Sequence, residues 1–264
     1  MIVVTGATGN VGRALVRALV GAGERVTAVS RSISADDVPA GIRTLRADLA
    51  EPDGLRPALD GAAALFLPTS GESTAADDSA AALRDVLELA GAGGVERVVL
   101  LSSQGVGTGR HSPRLEDVVE RSGPEWTVLR PGGFASNAFA WASAVREQRL
   151  VAAPFADVTL PVVDPDDIAE VATAALREPG HAGRTYVLTG PEAVSPRQQA
   201  AAIGAALGEP VRFAELTRAP HRPARQSTPC INRWMAFVAT TSATPRPIAT
   251  APSTPKYATA FSSL

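Results

Sequence analysis

Three glycines stand at intervals of three near the N-terminus, in Thr5-Gly6-Ala7-Thr8-Gly9-Asn10-Val11-Gly12. They follow a short apolar run, Ile2–Val4, and open a stretch with a helical period. A strand, a glycine turn and a helix in that order form a phosphate-binding fingerprint, because the helix offers free N–H groups and a partial positive charge. Gly6 is expected to permit the tight turn, and Gly9 to let the backbone approach a pyrophosphate without a Cβ in the way. Gly12 is expected to let the helix pack closely on the strand, and Thr5, Thr8, Asn10 and Val11 complete the expected cofactor contacts.

The second strand bears on the type of nucleotide. An NAD site places Asp or Glu about 20 residues on, to bond the ribose hydroxyls. Here the strand ends Val29-Ser30-Arg31-Ser32, with Asp36 the next acid. A guanidinium at Arg31 can pair with a 2′-phosphate bidentately and stack on adenine. Ser30 and Ser32 can donate to the same phosphate. The expected cofactor is therefore NADP, with NADPH preferred over NADH; the alternative is a solvated surface arginine. Asp48 and Leu49, after the third strand, are the expected adenine edge.

The elements that must hold these residues alternate. Strands are expected at Ile2–Val4, Arg25–Ser30, Ile42–Ala47, Ala62–Leu67, Val95–Ser102 and Trp126–Leu129. Helices are expected at Asn10–Ala22, Pro52–Leu59, Ser73–Ala92, Leu115–Ser122 and Phe134–Gln148. Such alternation implies an α/β fold: a Rossmann-like, doubly wound parallel sheet with ligands at the carboxyl ends of its strands. Beyond Leu150 the pattern changes, with strands expected at Val158–Val163, Arg184–Leu188 and Val211–Leu216 and helices at Asp166–Leu176 and Ser195–Leu207. The expected NAD(P)-binding domain is 1–216, its substrate-side elements mainly 132–216.

Composition excludes several classes. A single cysteine, Cys230, rules out an intrachain disulfide, and His111, His181 and His221 lack zinc spacing. Asp164, Asp166 and Asp167 open a helix and suit its dipole better than a metal, so no metal is expected. No apolar run reaches the roughly 18–20 residues of a membrane span, and no basic and apolar leader precedes the glycine motif. A cytoplasmic location is expected, with no membrane and no nucleic-acid partner, as a monomer or homodimer. There is no G-x-S-x-G elbow for a hydrolase.

Several stretches together resemble the NmrA-like branch of the atypical short-chain dehydrogenase/reductase superfamily. They are the Thr5–Gly12 loop with a basic end to the second strand, Leu101-Ser102-Ser103, Trp126-Thr127-Val128-Leu129-Arg130-Pro131-Gly132, and Phe134 with Asn137. Asp164 through Ala169 and Thr185-Tyr186-Val187-Leu188-Thr189-Gly190-Pro191 continue the match, which covers roughly residues 1–216. The resemblance implies a Rossmann fold with a small substrate region. It also implies either an NAD(P)H-dependent reductase, quinone reductases included, or a non-catalytic NADP(H)-binding redox sensor that regulates a partner.

The chain departs from the wider superfamily in lacking its Tyr-x-x-x-Lys acid pair. The only tyrosines are Tyr186 and Tyr257, and the only lysine is Lys256. Reduction of an ordinary ketone needs a proton delivered to the forming alkoxide. A quinone yields a phenolate of low basicity, which water can protonate, so hydride transfer then requires mainly proximity and orientation. The expected acceptor is a small molecule, a quinone or a similar conjugated system. Ser102 at the end of strand five is expected to meet the cofactor, and Gln104, Phe134 and Asn137 to line the substrate pocket. Phe134 also reads as a core aromatic, and Asn137 as a capping residue. The catalytic residue is not readable; His111 is a candidate proton donor, although Arg110-His111-Ser112-Pro113 also reads as an exposed loop.

The last 49 residues, Leu216–Leu264, contain no Asp, Glu or Gly but seven prolines, eight threonines and six Lys/Arg. The net charge of −2 thus averages a segment of nineteen basic and 27 acidic residues, at −8, with a tail at +6. The atypical basic Thr/Pro-rich tail, 217–264, is expected to be poorly ordered. Three readings stay open: a disordered tail, an unusual lid over the substrate, or a frameshift product.

Overall fold

The computed structural model describes residues 1–69 and 77–217. The chain divides into two compact units, Met1–Gly132 with Pro165–Leu188, and Gly133–Asp164 with the described residues from Thr189 onward.

The first unit holds seven parallel strands. They are β1 (Ile2–Thr5), β2 (Val26–Ser30), β3 (Arg43–Arg46), β4 (Ala64–Pro68), β5 (Arg97–Leu101), β6 (Glu125–Pro131) and, after β7 of the other unit, β8 (Arg184–Leu188), in the order β3-β2-β1-β4-β5-β6-β8. Val3 pairs with Thr27 on one side and Leu65 on the other, so the strand order reverses at β1 and β4. In open α/β sheets that reversal leaves a crevice beyond the carboxyl ends of the strands. β1 is buried throughout and β4 and β5 almost so, which is why they read as continuous apolar runs. The outer strands β3 and β8 are mostly half-buried or exposed.

Helices α1 (Asn10–Gly21), α2 (Arg56–Leu59), α3 (Asp77–Ala92), α4 (Gln104–Gly107) and α5 (Arg114–Glu120) belong to this unit, as does α7 (Pro165–Arg177). α1 buries Val11, Ala14, Leu15 and Leu19 and stops where Gly23 takes φ +80. α7 packs along α1 and buries Ile168, Ala169, Ala172 and Leu176. A core of Val3, Leu65, Leu100 and Val128 from the sheet closes against Leu59, Val86, Leu87 and Val119. Each such side chain contributes about 1.5–3 kcal/mol on burial.

In the second unit β7 (Leu150–Ala153) pairs in parallel with β9 (Arg212–Glu215), Val151 opposite Phe213. Helices α6 (Ala142–Gln148) and α8 (Pro196–Leu207) pack here around Val145, Val151, Ala200 and Ile203. α8 opens with a reciprocal cap: Gln198 N–H donates to Ser195 Oγ at 3.2 Å, and Ser195 N–H donates to Gln198 Oε1 at 2.8 Å. Proline at the first helical position suits the missing N–H.

Within 132–216, β8 hydrogen-bonds to β6 and α7 packs on α1, so Pro165–Leu188 belongs to the first unit. Three elements differ from expectation. Val158–Val163 is no strand; Pro161 interrupts its donors, and only the bridges Leu160↔Val194 and Phe134↔Val163 form. The helix expected over Phe134–Gln148 is a 3-10 segment, Ala135–Trp141, followed by α6. β7 went unpredicted: it has four residues and starts directly after Arg149, which leaves α6 at φ +50. Of the tail 217–264, all but Thr217 lies outside the described residues, as does part of the helix expected from Ser73. Among the described residues no helix is long and apolar enough to cross a membrane.

Candidate functional site

The glycine turn sits between β1 and α1 at the carboxyl edge of the first unit's sheet. Gly6 holds φ +62, and a Cβ there would lie 2.6 Å from Pro68 Cγ at the end of β4. Gly9 N–H donates to Gly6 O at 2.9 Å, closing the turn. A Cβ on Gly12 would lie 2.1 Å from Gly6 O, so the close approach is to the turn's own backbone and not to the strand. Gly9 supplies no side-chain cap, and the first turn of α1 has no acidic residue, so nothing anionic offsets the dipole. Thr5 is buried, its Oγ1 donating to Phe66 O at 2.7 Å. These features form a cradle that a dinucleotide pyrophosphate fits, with Val11 buried beneath it and Asn10 at the first helical position.

Next to the cradle the hydroxyls of Thr8 and Ser30 share a hydrogen bond of 2.8 Å. Arg31 follows Ser30, exposed and without an ion-pair partner among the described residues. Sequence reasoning missed Arg13, whose Nε donates to Thr8 O at 2.9 Å and whose guanidinium stands 3.8 Å from Asp37. Asp37 accepts from the backbone and hydroxyl of Ser34, and these bonds, with the charges of Arg13 and Arg46, hold its carboxyl below the usual range. Asp48 Oδ1 accepts from Ala50 N at 3.1 Å in a local turn, and Leu49 packs on the core.

At the end of β5, Ser102 N–H donates to Leu129 O at 2.7 Å. Its hydroxyl donates to Glu116 of α5, which is 2% exposed. Arg130 of β6 grips the same carboxylate, Nε lying 3.1 Å and 3.2 Å from its two oxygens. That bonding holds the guanidinium above its ordinary pKa. Glu116 had no sequence signal, since an acid in a short helix reads as solvent-facing. Ser103 caps α4, accepting from Gly105 N at 3.1 Å, and Gln104 opens that helix half-buried. His111 is exposed; its ring lies over Gly105, where a Cβ would come within 2.5 Å of Nδ1.

The second unit brings Phe134 and Asn137 together. They line an open apolar cleft with Trp141, Pro154, Val162 and Gln199. Phe134 is half-buried and Asn137 exposed, with no side-chain hydrogen bond from Asn137 or Gln199 to the described residues. Phe134 therefore shapes a cleft wall, and Asn137 caps no helix through its side chain. Gln199, on α8, also lay outside the sequence expectation.

A doubly wound parallel sheet with a glycine turn at its switch point defines a nucleotide-binding Rossmann protein. The chain belongs to the NAD(P)H-binding family, whose model matches residues 6–179. It is 37% identical over 227 residues to the (4-alkanoyl-5-oxo-2,5-dihydrofuran-3-yl)methyl phosphate reductase of Streptomyces griseus, covering 82% of this chain and 77% of that one. It is 34% identical to the NAD(P)H azoreductase of Xenophilus azovorans, with the same coverage. The NADPH-dependent quinone oxidoreductase of Escherichia coli, solved with NADPH, superposes with a TM-score of 0.67 at 28% identity, covering 82% of this chain and 79% of that chain. Fold, family and relatives place the protein among the NAD(P)H-dependent oxidoreductases.

Proposed function

We propose that the protein is an NADPH-dependent reductase that delivers hydride to a quinone or a similar conjugated acceptor. NADPH, when bound, supplies the hydride. The glycine cradle would seat its pyrophosphate, with Thr5, Gly6, Thr8, Gly9, Asn10, Val11 and Gly12 around it. Arg31 would take the 2′-phosphate, and Asp48 with Leu49 would border the adenine. Ser102 would meet the nicotinamide end. Phe134 and Trp141 would stack on a flat acceptor, while Asn137 orients its carbonyl.

One observation carries the choice of acceptor. Tyr186 is the sole tyrosine among the described residues, and its hydroxyl is engaged with His181 Nδ1 at 2.9 Å. Lys256 lies outside them. With no Tyr-Lys pair, the reaction suits acceptors whose reduced form takes its proton from water. The named substrates of the relatives agree with this, since a quinone, an azo compound and an acyl-dihydrofuranone each carry an electron-poor conjugated system.

The test is NADPH oxidation with a panel of quinones, beside equilibrium binding of NADPH and NADH. Saturable turnover with at least one quinone is expected. Saturable NADPH binding with no turnover across the panel would overturn the enzyme reading in favour of a redox sensor.

A further inference from the structure

The first unit buries one carboxylate that the proposed reaction does not use. Glu116, 2% exposed, receives Arg130 Nε on both oxygens, Arg130 Nη2 on Oε2 and the Ser102 hydroxyl on Oε1. A carboxylate ionised against a guanidinium has no proton and can only accept. Ser102 has one hydroxyl proton and directs it at Glu116. Its backbone is held as well, through N–H to Leu129 O. What remains on Ser102 Oγ is lone pairs. Ser102 is half-buried and follows the last residue of β5, at the carboxyl edge where ligands of such sheets lie.

We infer that Glu116 is a positioning residue: gripped by Arg130, it fixes Ser102 as a hydrogen-bond acceptor for an amide N–H of the bound nicotinamide. The inference rests on the cofactor reading above. Ser102 accordingly contributes orientation and no proton. Glu116 comes from α5, Arg130 from β6 and Ser102 from the residue after β5, so the serine's polarity is set by side chains distant in sequence.

The probe is the NADPH analogue in which 3-acetylpyridine replaces nicotinamide, so that a methyl ketone stands where the carboxamide was and the N–H donors are gone. The wild-type protein is expected to bind NADPH about two- to tenfold more tightly than this analogue, the range of one net hydrogen bond. Ser102→Ala removes the acceptor and is expected to bring the ratio to about one. Glu116→Gln keeps an oxygen for Arg130 but presents its NH2 to Ser102, which turns the serine hydroxyl outward as a donor. Its ratio is expected to fall to one or below. A purely structural role would weaken both ligands alike and leave the ratio unchanged.

An unchanged ratio in folded Ser102→Ala or Glu116→Gln overturns the inference, as does equal binding of both ligands by the wild type. Should Glu116→Gln fail to fold, Ser102→Ala decides alone, since it deletes a single oxygen. Failure of the wild type to bind NADPH at all is a separate outcome, one that defeats the cofactor reading.

Discussion

The same substitution at two ends of α1 is expected to act with opposite signs. At Gly12 an added Cβ would lie 2.1 Å from Gly6 O, 2.8 Å from Gly6 C and 2.9 Å from Ala7 Cα. Ordinary contact begins near 3.4 Å, so turn and helix must separate by about 1.3 Å. All three atoms are backbone, and no rotamer change relieves the clash. Forced separation of packed groups costs about 1–3 kcal/mol. The geometry of the cradle suffers more, since a 1 Å misplacement can cost about a hundredfold. At Gly21, the last residue of the same helix, a Cβ meets nothing within 4 Å, and φ is not positive. Alanine there should stabilise by up to about 1 kcal/mol through propensity alone. Urea unfolding and NADPH fluorescence titration read the two effects. Gly12→Ala should lower the midpoint and weaken NADPH at least tenfold, while Gly21→Ala should raise the midpoint and leave NADPH binding intact. Wild-type stability and affinity in Gly12→Ala would refute the close approach.

Three further outcomes follow from local geometry. Arg31→Asp should weaken NADPH by about ten- to a hundredfold, the range of a charge-assisted contact, and NADH far less; equal losses in parallel titrations would remove the 2′-phosphate assignment. Ser195→Ala breaks the reciprocal cap of α8 and should cost about 0.5–2 kcal/mol in urea unfolding, whereas Ser195→Asp should restore most of it. Asp37 titrates below its ordinary value because Ser34, Arg13 and Arg46 favour its ionised form, so its stabilisation holds above the unfolded pKa and disappears as pH falls through the folded one. The stability gap between wild type and Asp37→Asn should therefore close on acidification below pH 4; a gap that persists there would contradict the linkage.

The first unit was legible because its signals are local. Three glycines, a buried β1 and the apolar face of α1 all fall within residues 2–21, and each constrains the others. The second unit was less so. Pro161 stands in a run otherwise suited to a strand, and Phe134–Gln148 has an apolar rhythm that a 3-10 segment satisfies as well as an α-helix. Glu116 and Gln199 gave no signal, since their roles depend on partners that only the tertiary fold supplies.

Those tertiary partners also bear on the proton. Ser102 spends its hydroxyl hydrogen on Glu116, Thr5 spends its own on Phe66 O, and Tyr186 is engaged with His181. These three hydroxyls are thus committed elsewhere among the described residues, and water and His111 stand as the two sources to compare. The two differ in pH dependence. With water as donor, kcat/KM for a quinone should stay level between pH 6 and 8. With His111 as general acid, the rate should fall with rising pH as the imidazole loses its proton, and His111→Gln should remove both the inflection and about a hundredfold or more of the rate. A level profile is expected here, because His111 is exposed and its ring is seated on Gly105. A profile that falls through the imidazole range and flattens in His111→Gln would refute the water route and make His111 the catalytic acid.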